Sequence, residues 1–169
     1  MGKINVLGLG ESLSFYIPDD SPTIGVNDIW SKVQTDYIVC LDKRDKFSDE
    51  RLKTIDESKP LKFFSQLEDW NNRPDYEIIT LQPDYPKYKC QINLSSLPKS
   101  LCSPFVACAL AYKMGAKEIH VYGVDLINHP HLKAECCERI KLHFRNLKIA
   151  LIQNGCRLVI HGDGILKSL

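Results

Sequence analysis

The sequence carries almost no net charge, with 22 Lys and Arg residues against 21 Asp and Glu residues, a balance of +1 at pH 7. Proteins that bind duplex nucleic acid or anionic membranes usually show a clear excess of basic residues. The sequence also lacks an apolar run of membrane-spanning length, and residues 1–10 lack the layout of a signal peptide. We therefore expect no duplex nucleic acid partner and no membrane span.

Cysteine is frequent, but no C-x-x-C spacing occurs and the count is odd. Thiols inside apolar runs usually serve as small core residues in a reducing compartment. The cysteines therefore predict a cytoplasmic protein without structural disulfides. The seven cysteines are Cys40, Cys90, Cys102, Cys108, Cys136, Cys137 and Cys156.

The remaining composition is that of an ordinary globular chain. Hydrophobic residues make up 44% and charged residues 25% of 169 residues, which matches average globular usage. A chain of this length fits one hydrophobic core. We predict a single domain over residues 1–169, a Rossmann-like nucleotide-binding unit for the reasons below.

Short apolar runs alternate with helical patterns along the chain. Because strands that alternate with helices form parallel sheets with right-handed crossovers, the pattern predicts an α/β fold. We expect a three-layer, Rossmann-like architecture: a mostly parallel sheet with helices on both faces. The predicted strands are Lys3–Leu7, Thr23–Val26, Tyr37–Leu41, Leu61–Phe64, Glu118–Tyr122 and Arg157–Ile160.

Three helices are predicted, at Ser48–Ser58, from Ser103 to Gly115, and at Leu132–Asn154. Ser103 followed by Pro104 is typical of an N-cap with proline at the first helical position. Residues 66–101 hold many prolines and aromatics, and we expect irregular structure there, with Tyr76–Leu81 as a strand candidate. Exposed aromatics near 76–88 would suit a homo-oligomer, an alternative that we leave open.

Polar residues or glycines follow the predicted strands. In such folds ligands bind outside the carboxyl ends of the strands, glycines admit a phosphate, and a helix amino terminus favours an anion. The alternative interpretation is that these residues only form turns and caps. The residues at this edge are Gly8, Gly10, Ser12, Asn27, Asp28, Asp42, Ser103, Gly123, Asp125, His161 and Asp163.

Two segments resemble a known family. Gly8-Leu9-Gly10-Glu11-Ser12-Leu13 resembles the G-x-G-P-S-L opening of bacterial sialyltransferases of the Campylobacter type. The segment Ser103–Asp125 is similar to their S-G-x-x-A-x-x-x-A-x-x-x-G-x-K-E-I-x-L-x-G-x-D block. The archaeal 6-hydroxymethylpterin diphosphokinase-like proteins share these features. The resemblance covers the core of the fold.

The resemblance implies that a cytidine or other nucleotide binds at this edge. By position, the implied nucleotide-binding residues are Gly8, Gly10, Ser12, Asn27, Asp42 and Ser103. Two positions depart from the family pattern, because Glu11 replaces its proline and Pro104 replaces its glycine. The family's lid insertion after G-x-D, which carries a catalytic histidine, is missing.

Asp125, His129 and His131 are the candidate catalytic residues. An imidazole titrates near neutral pH and can act as a general base, so either histidine could remove a proton from an acceptor. The alternative is that both are exposed loop histidines. Neither aligns with the catalytic histidine of the family.

Two other chemistries are weaker. His129 and His131, with Cys136, Cys137 and His143, do not have the spacing of a known zinc site, so we predict no metal ligands. Cys102 lies near a helix start that would favour a thiolate, but the sequence shows no base beside it, and a buried structural thiol is the alternative.

Three functions remain open. The first is a glycosyltransferase-like, sialyltransferase-like transferase that binds a nucleotide or nucleotide-sugar, with a CMP-linked donor. The second is an ATP-dependent diphosphokinase of the pterin type, which would need Mg²⁺ on carboxylates such as Asp42 or Asp125. The third is a non-catalytic nucleotide-binding or interaction module, which the missing lid favours because a lid excludes water.

Overall fold

The structure is a computed structural model that describes residues 2–82, 92–100, 102–127 and 132–169. Its strands are β1 (Lys3–Leu7), β2 (Thr23–Val26), β3 (Tyr37–Val39), β4 (Lys62–Ser65), β5 (Tyr76–Ile78), β6 (Leu81–Gln82), β7 (Leu97–Pro98), β8 (Glu118–Tyr122) and β9 (Arg157–Ile160). Its α-helices are α1 (Asp49–Glu57), α2 (Ser103–Lys113) and α3 (Ala134–Gln153). Short 3₁₀ turns occur at Glu11–Phe15, Ile29–Ser31, Arg44–Lys46, Glu68–Trp70 and Ile165–Ser168.

Seven strands form one parallel sheet in the order β5-β4-β3-β2-β1-β8-β9. The chain moves outward from β1 to β5, then returns to the other side of β1 for β8 and β9. The strand order therefore reverses between β1 and β8, which is the switch point of a doubly wound sheet. The predicted α/β, Rossmann-like fold is confirmed.

Each face of the sheet has its own hydrophobic cluster. Helices α2 and α3 cover one face, where Ile4, Val121 and Phe105 are fully buried. Helix α1 and the 3₁₀ turns cover much of the other face, where Leu7, Ile38 and Trp70 are fully buried. Alternate strand residues point to opposite faces, so a parallel strand can supply both clusters.

Small side chains bring α2 close to the sheet. Ala107, Cys108 and Ala111 are fully buried, and the helix contacts β1, β2, β3 and β8. Gly115 adopts a φ of +91° just after the Met114 C-cap, as expected of a glycine that ends a helix. The start of α2 lies at the carboxyl end of β3, since the Ser103 hydroxyl accepts the Leu41 N–H.

Several predicted boundaries need correction. Strand β3 ends at Val39, although Leu41 is also buried. The Tyr76–Leu81 candidate is divided: β5 ends at Ile78, and Leu81 pairs with Leu97 in a separate two-stranded sheet. The N-cap of α2 is Cys102, and Ser103 is its first helical residue.

Residues 83–91 of the predicted irregular segment, including Tyr85 and Tyr88, lie outside the described residues. In the described part of the chain, no helix combines the length and apolarity needed to cross a bilayer.

Candidate functional site at the strand ends

A hydrogen-bonded corner joins β2, the segment after β3 and the start of α2. The Ser103 hydroxyl accepts the Leu41 N–H at 3.3 Å and lies 3.4 Å from Asn27 Oδ1. Ser103 is buried, and Asn27 has a positive φ of 53°, a conformation that asparagine tolerates better than most residues. The corner holds Asn27 and Ser103 together at the predicted ligand edge.

Ser103 has a different local role from the one predicted. It is the first helical residue of α2, after the Cys102 N-cap, and its hydroxyl is used across the sheet edge. The N-terminus of this eleven-residue helix points at the same corner. An anion placed there would benefit from the helix dipole.

Asp42 lies beside this corner. Its backbone carbonyl accepts the Trp70 indole N–H at 3.1 Å, which fixes the chain directly after Leu41. Its carboxyl group retains access to solvent, yet the protein atoms around it raise its pKa by desolvation, while the charges of Arg51 and Lys46 oppose the rise. Asp42 is therefore an exposed hydrogen-bond acceptor beside the corner.

The glycine loop after β1 packs tightly against the loop after β8. Gly8 N–H donates to Tyr122 O and Gly10 N–H to Gly123 O, both at 2.8 Å. A Cβ at Gly8 would overlap the Gly123 carbonyl oxygen, and one at Gly10 would overlap Asp125 Oδ2. The two glycines therefore allow the loops to pack closely, as in the alternative interpretation of the sequence. A ligand contact by either glycine stays a prediction.

Ser12 and Asp125 lock the same two loops together. Asp125 Oδ2 accepts the Ser12 N–H at 2.9 Å, and the buried Ser12 hydroxyl accepts the Gly123 N–H at 2.9 Å. Gly162, with φ of +103°, packs so closely that a Cβ there would overlap Ser12 Cβ. Asp125 thus positions the start of the 3₁₀ turn Glu11–Phe15, and its catalytic role remains a prediction.

The two remaining catalytic candidates, His129 and His131, lie outside the described residues. The connection from β8 to α3 consists of residues 123–133 only. Glu11 is exposed and is the first residue of the 3₁₀ turn that follows the glycine loop.

The thiol and metal alternatives gain no support. Burial raises the pKa of the Cys102 thiol to about 12, so it is not a thiolate near neutral pH. Cys137 is buried and Cys136 is partly exposed on α3. Within residues 2–82, 92–100, 102–127 and 132–169, no three His, Cys, Asp or Glu side chains are arranged to hold a metal ion.

Sequence reasoning missed two cations near the site. Arg51 of α1 forms a two-point ion pair with the buried Asp28, at 3.0 and 2.6 Å. Lys32 Nζ donates to the Leu9 carbonyl at 2.7 Å and so braces the glycine loop. Neither position forms a motif with its sequence neighbours, so no local signal would have identified them.

An open cavity of about 330 Å³ occurs at the other end of α2. Leu94, Tyr112, Lys113 and Gly115 line it together with the residues that lead into β8. It contains none of the predicted site residues. The candidate site is therefore the hydrogen-bonded corner at the strand ends.

No family model matches the sequence, and no curated protein matches it. Solved structures of the sialyltransferase CstII do match in fold. A CstII complex with CMP and a trisaccharide acceptor is 13% identical, with a TM-score of 0.62 over 98% of this chain and 84% of that chain. The Campylobacter jejuni enzyme with the substrate analogue CMP-3FNeuAc is also 13% identical, with a TM-score of 0.59 over 95% and 80%. This chain therefore has the fold of the Campylobacter jejuni sialyltransferase CstII.

Proposed function

We propose that this protein is a glycosyltransferase-like transferase that binds a nucleotide or nucleotide-sugar, with a CMP-linked sugar as the favoured donor. The observation that carries the proposal is the corner of Asn27, Ser103 and Leu41 at the start of α2. It combines an amide, a hydroxyl and a helix N-terminus at the ligand edge of a fold whose solved examples include CMP complexes.

The charges at the corner suggest how a nucleotide would lie. Its phosphate would face the N-terminus of α2, where Ser103 and the helix dipole favour an anion. Asp42 would repel that phosphate and would instead accept hydrogen bonds from ribose hydroxyls or a base amino group. A ligand hydroxyl or amino group would donate to the exposed Asp42 carboxylate, whose pKa desolvation raises.

In the proposed transfer, an acceptor hydroxyl attacks the anomeric carbon, and the bond from that carbon to the phosphate oxygen breaks. The leaving nucleotide keeps the electron pair, and the hydroxyl proton passes to a base. We assign this role to His129 or His131, because Asp125 Oδ2 already accepts the Ser12 N–H. Asp125 then acts by holding the glycine loop.

The short connection between β8 and α3 favours a second candidate, a non-catalytic nucleotide-binding module. Residues 123–133 leave little chain for a lid, and a lid excludes water and positions an acceptor. No described observation favours the diphosphokinase alternative. The free, mostly buried cysteines lead us to propose a reducing, cytoplasmic location for either candidate.

A thermal-shift panel tests nucleotide binding. The purified protein is heated with CMP, CTP, UDP, GDP, ATP and their sugars, with and without Mg²⁺. CMP at 100 times its Kd should stabilise the fold by about 2.7 kcal/mol, which is roughly 5–10 °C in Tm for this chain length. A shift with CMP that does not need Mg²⁺ supports the proposal.

Asn27→Gly is the most informative variant, because it removes the amide while tolerating the positive φ. It should keep its own Tm and lose the CMP shift, whereas Asn72→Ala, at an exposed turn residue, should retain the shift. A shift with ATP that appears only with Mg²⁺ would favour the diphosphokinase, and no shift with any nucleotide would refute nucleotide binding. Hydrolysis or transfer of a CMP-sugar then separates the transferase from the module.

A further inference from the structure

A pair of histidines bridges β8 and β9 on the face of the sheet opposite α2 and α3. His120 Nδ1 lies 2.9 Å from His161 Nε2. The ring centroids are 5.0 Å apart, so the two nitrogens point nearly at each other. This is the geometry of one N–H···N hydrogen bond, in which a single proton lies between the rings, and not of two lone pairs that converge on a metal ion.

The His161 side of the pair touches the glycine loop by two routes. Its ring stacks on Tyr122 at 4.1 Å with an angle of 7° between the planes. Tyr122 in turn packs edge-on against Tyr16, directly after the 3₁₀ turn Glu11–Phe15. The residue after His161 is Gly162, whose backbone is pressed against Ser12.

Charged groups on every neighbouring element act on the pair. Glu118 Oε1 of β8 lies 3.4 Å from His120 Nε2, while Arg157 of β9 pairs with the same carboxylate at 3.1 Å. Lys3 of β1 is ion-paired with Asp19, which lies in the loop before β2. Burial lowers the pKa of His161, and the charges of His120 and Lys3 lower it further. Burial raises the pKa values of Tyr16 and Tyr122, which keeps both neutral in the range where histidine titrates.

We propose that the His120–His161 pair is a proton-operated control of the strand-end site, in which acid loosens the glycine loop and the 3₁₀ turn that follows it (residues 8–16). Near neutral pH one proton joins the rings and holds His161 against Tyr122. Once each ring has taken up a proton from solvent, both facing nitrogens carry N–H groups, so the hydrogen bond is lost and two positive rings repel each other. Displacement of His161 then separates Gly162 from Ser12 and Tyr122 from Tyr16.

The consequence for ligand binding rests on the proposed function, whereas the loosening of the loop does not. Ser12 fixes the loop through its bonds to Gly123 and Asp125. A loosened Ser12 would uncouple the loop after β1 from the loop after β8. Nucleotide affinity should then fall in acid while the rest of the sheet stays folded.

Amide hydrogen exchange tests the proposal without any ligand. Protection factors for residues 12–16 are measured at pH 7.5 and pH 5.5 in the intact protein. They should fall by about tenfold in acid, the change that about 1.4 kcal/mol produces. In His161→Gln, whose amide can donate to His120 without gaining charge, the acid effect should disappear.

His143→Gln is the matched control, because this histidine lies on α3 at the other face of the sheet. The control should keep the acid response of residues 12–16. An unchanged protection at pH 5.5 in the native protein would overturn the proposal, as would an equal acid response in His161→Gln. If His161→Gln does not fold, NMR titration of the native protein decides. The loop amides must then follow the same midpoint as the His161 ring, and independent midpoints overturn the proposal.

CMP affinity gives the second readout. Its Kd should rise about tenfold from pH 7.5 to 5.5 in the native protein. Because a phosphate itself titrates at about pH 6, the effect of the histidine pair is the part of this rise that is missing in His161→Gln. An equal pH dependence in both proteins would overturn the link to the site. Failure of CMP to bind at either pH refutes the proposed function alone, since the exchange result still decides the behaviour of the loop.

Discussion

At the scale of single residues, Gly8 shows how one position can satisfy two interpretations. A glycine after the first strand of such a fold is expected to admit a phosphate. Here the missing side chain makes room for the Gly123 carbonyl and for Val124, whose Cγ2 would lie 2.9 Å from a Cβ. Packing alone is therefore sufficient reason for glycine at this position.

Gly8→Ala should lower the free energy of unfolding by about 1–3 kcal/mol, because a methyl group cannot enter this contact without moving the backbone. Urea unfolding followed by circular dichroism measures the change. Gly2→Ala is the control, since nothing lies within 4 Å of a Cβ there. Equal stability of the two variants would contradict the packing role.

Asp42→Asn should stabilise the ligand-free protein slightly. Desolvation raises the pKa of this carboxyl above 3.8, so ionisation costs more in the folded state than in the unfolded state. The cost is absent in acid, where the group is neutral in both states, and appears as the pH rises through the raised pKa. Because solvent screens the group, we expect a gain of less than about 1 kcal/mol at pH 7.

Urea unfolding at pH 7 and in acid, with Asp45→Asn as an exposed control, measures this effect. A gain that is the same at both pH values would argue against desolvation as its cause. The same variant should bind CMP more weakly if the ribose lies against Asp42. Stability and binding would then change in opposite directions, as is usual for a binding residue.

At the scale of elements, the contact between the loop after β1 and the loop after β8 fixes the geometry of the switch point. Buried Ser12 and half-buried Asp125 satisfy backbone groups that would otherwise lose hydrogen bonds on burial. The residues that a sequence motif suggests for chemistry thus also act in loop assembly. Variants at these positions can lose activity through structure alone.

Conservative and truncating changes at Asp125 separate the two roles. Asp125→Ala leaves the Ser12 N–H without its acceptor and should cost about 1–3 kcal/mol of stability. Asp125→Asn keeps an oxygen acceptor and should retain most of that stability. Thermal unfolding of both variants checks this, and retention of the proposed transferase activity in Asp125→Asn would indicate a positioning role. Loss of activity in a stable Asp125→Asn would instead indicate that the charge is used in catalysis.

At the scale of the whole molecule, the parallel sheet separates two hydrophobic clusters that nevertheless share its strands. Ile38 faces one cluster and its neighbour Val39 the other. Loss of one cluster would expose the strands that support the other. We therefore predict that the chain unfolds as one cooperative domain.

Thiol labelling followed by peptide mapping tests this prediction. Burial raises the pKa values of Cys40 and Cys102, each to about 12, and these two residues belong to different hydrophobic clusters. Among the six cysteines in the described part of the chain, partly exposed Cys136 should react first in the native protein. Cys40, Cys102, Cys108, Cys137 and Cys156 should then become labelled together, at the rate of global unfolding. Earlier labelling of Cys137 and Cys156 would show that α3 and β9 open separately.

The sequence by itself determined the local elements. Short runs rich in aliphatic residues placed Lys3–Leu7, Glu118–Tyr122 and Arg157–Ile160 at the observed bounds, because strands of a parallel sheet that is covered on both faces are mostly apolar. The alternation of strands and helices then predicted the α/β class. The position of Asn27 and Ser103 at the strand ends followed from the same pattern.

Only the tertiary structure decided which distant groups meet. Ser103 reaches Leu41, His120 reaches His161, and Arg51 reaches Asp28. These pairs depend on strand order and register, which bring together residues far apart in the chain, and hydrophobic periodicity encodes neither. The prediction of Tyr76–Leu81 as one strand is wrong for the same reason, because Leu81 pairs with Leu97 in a separate sheet. Local composition selects an element, whereas its neighbours are selected by the global packing that buries it.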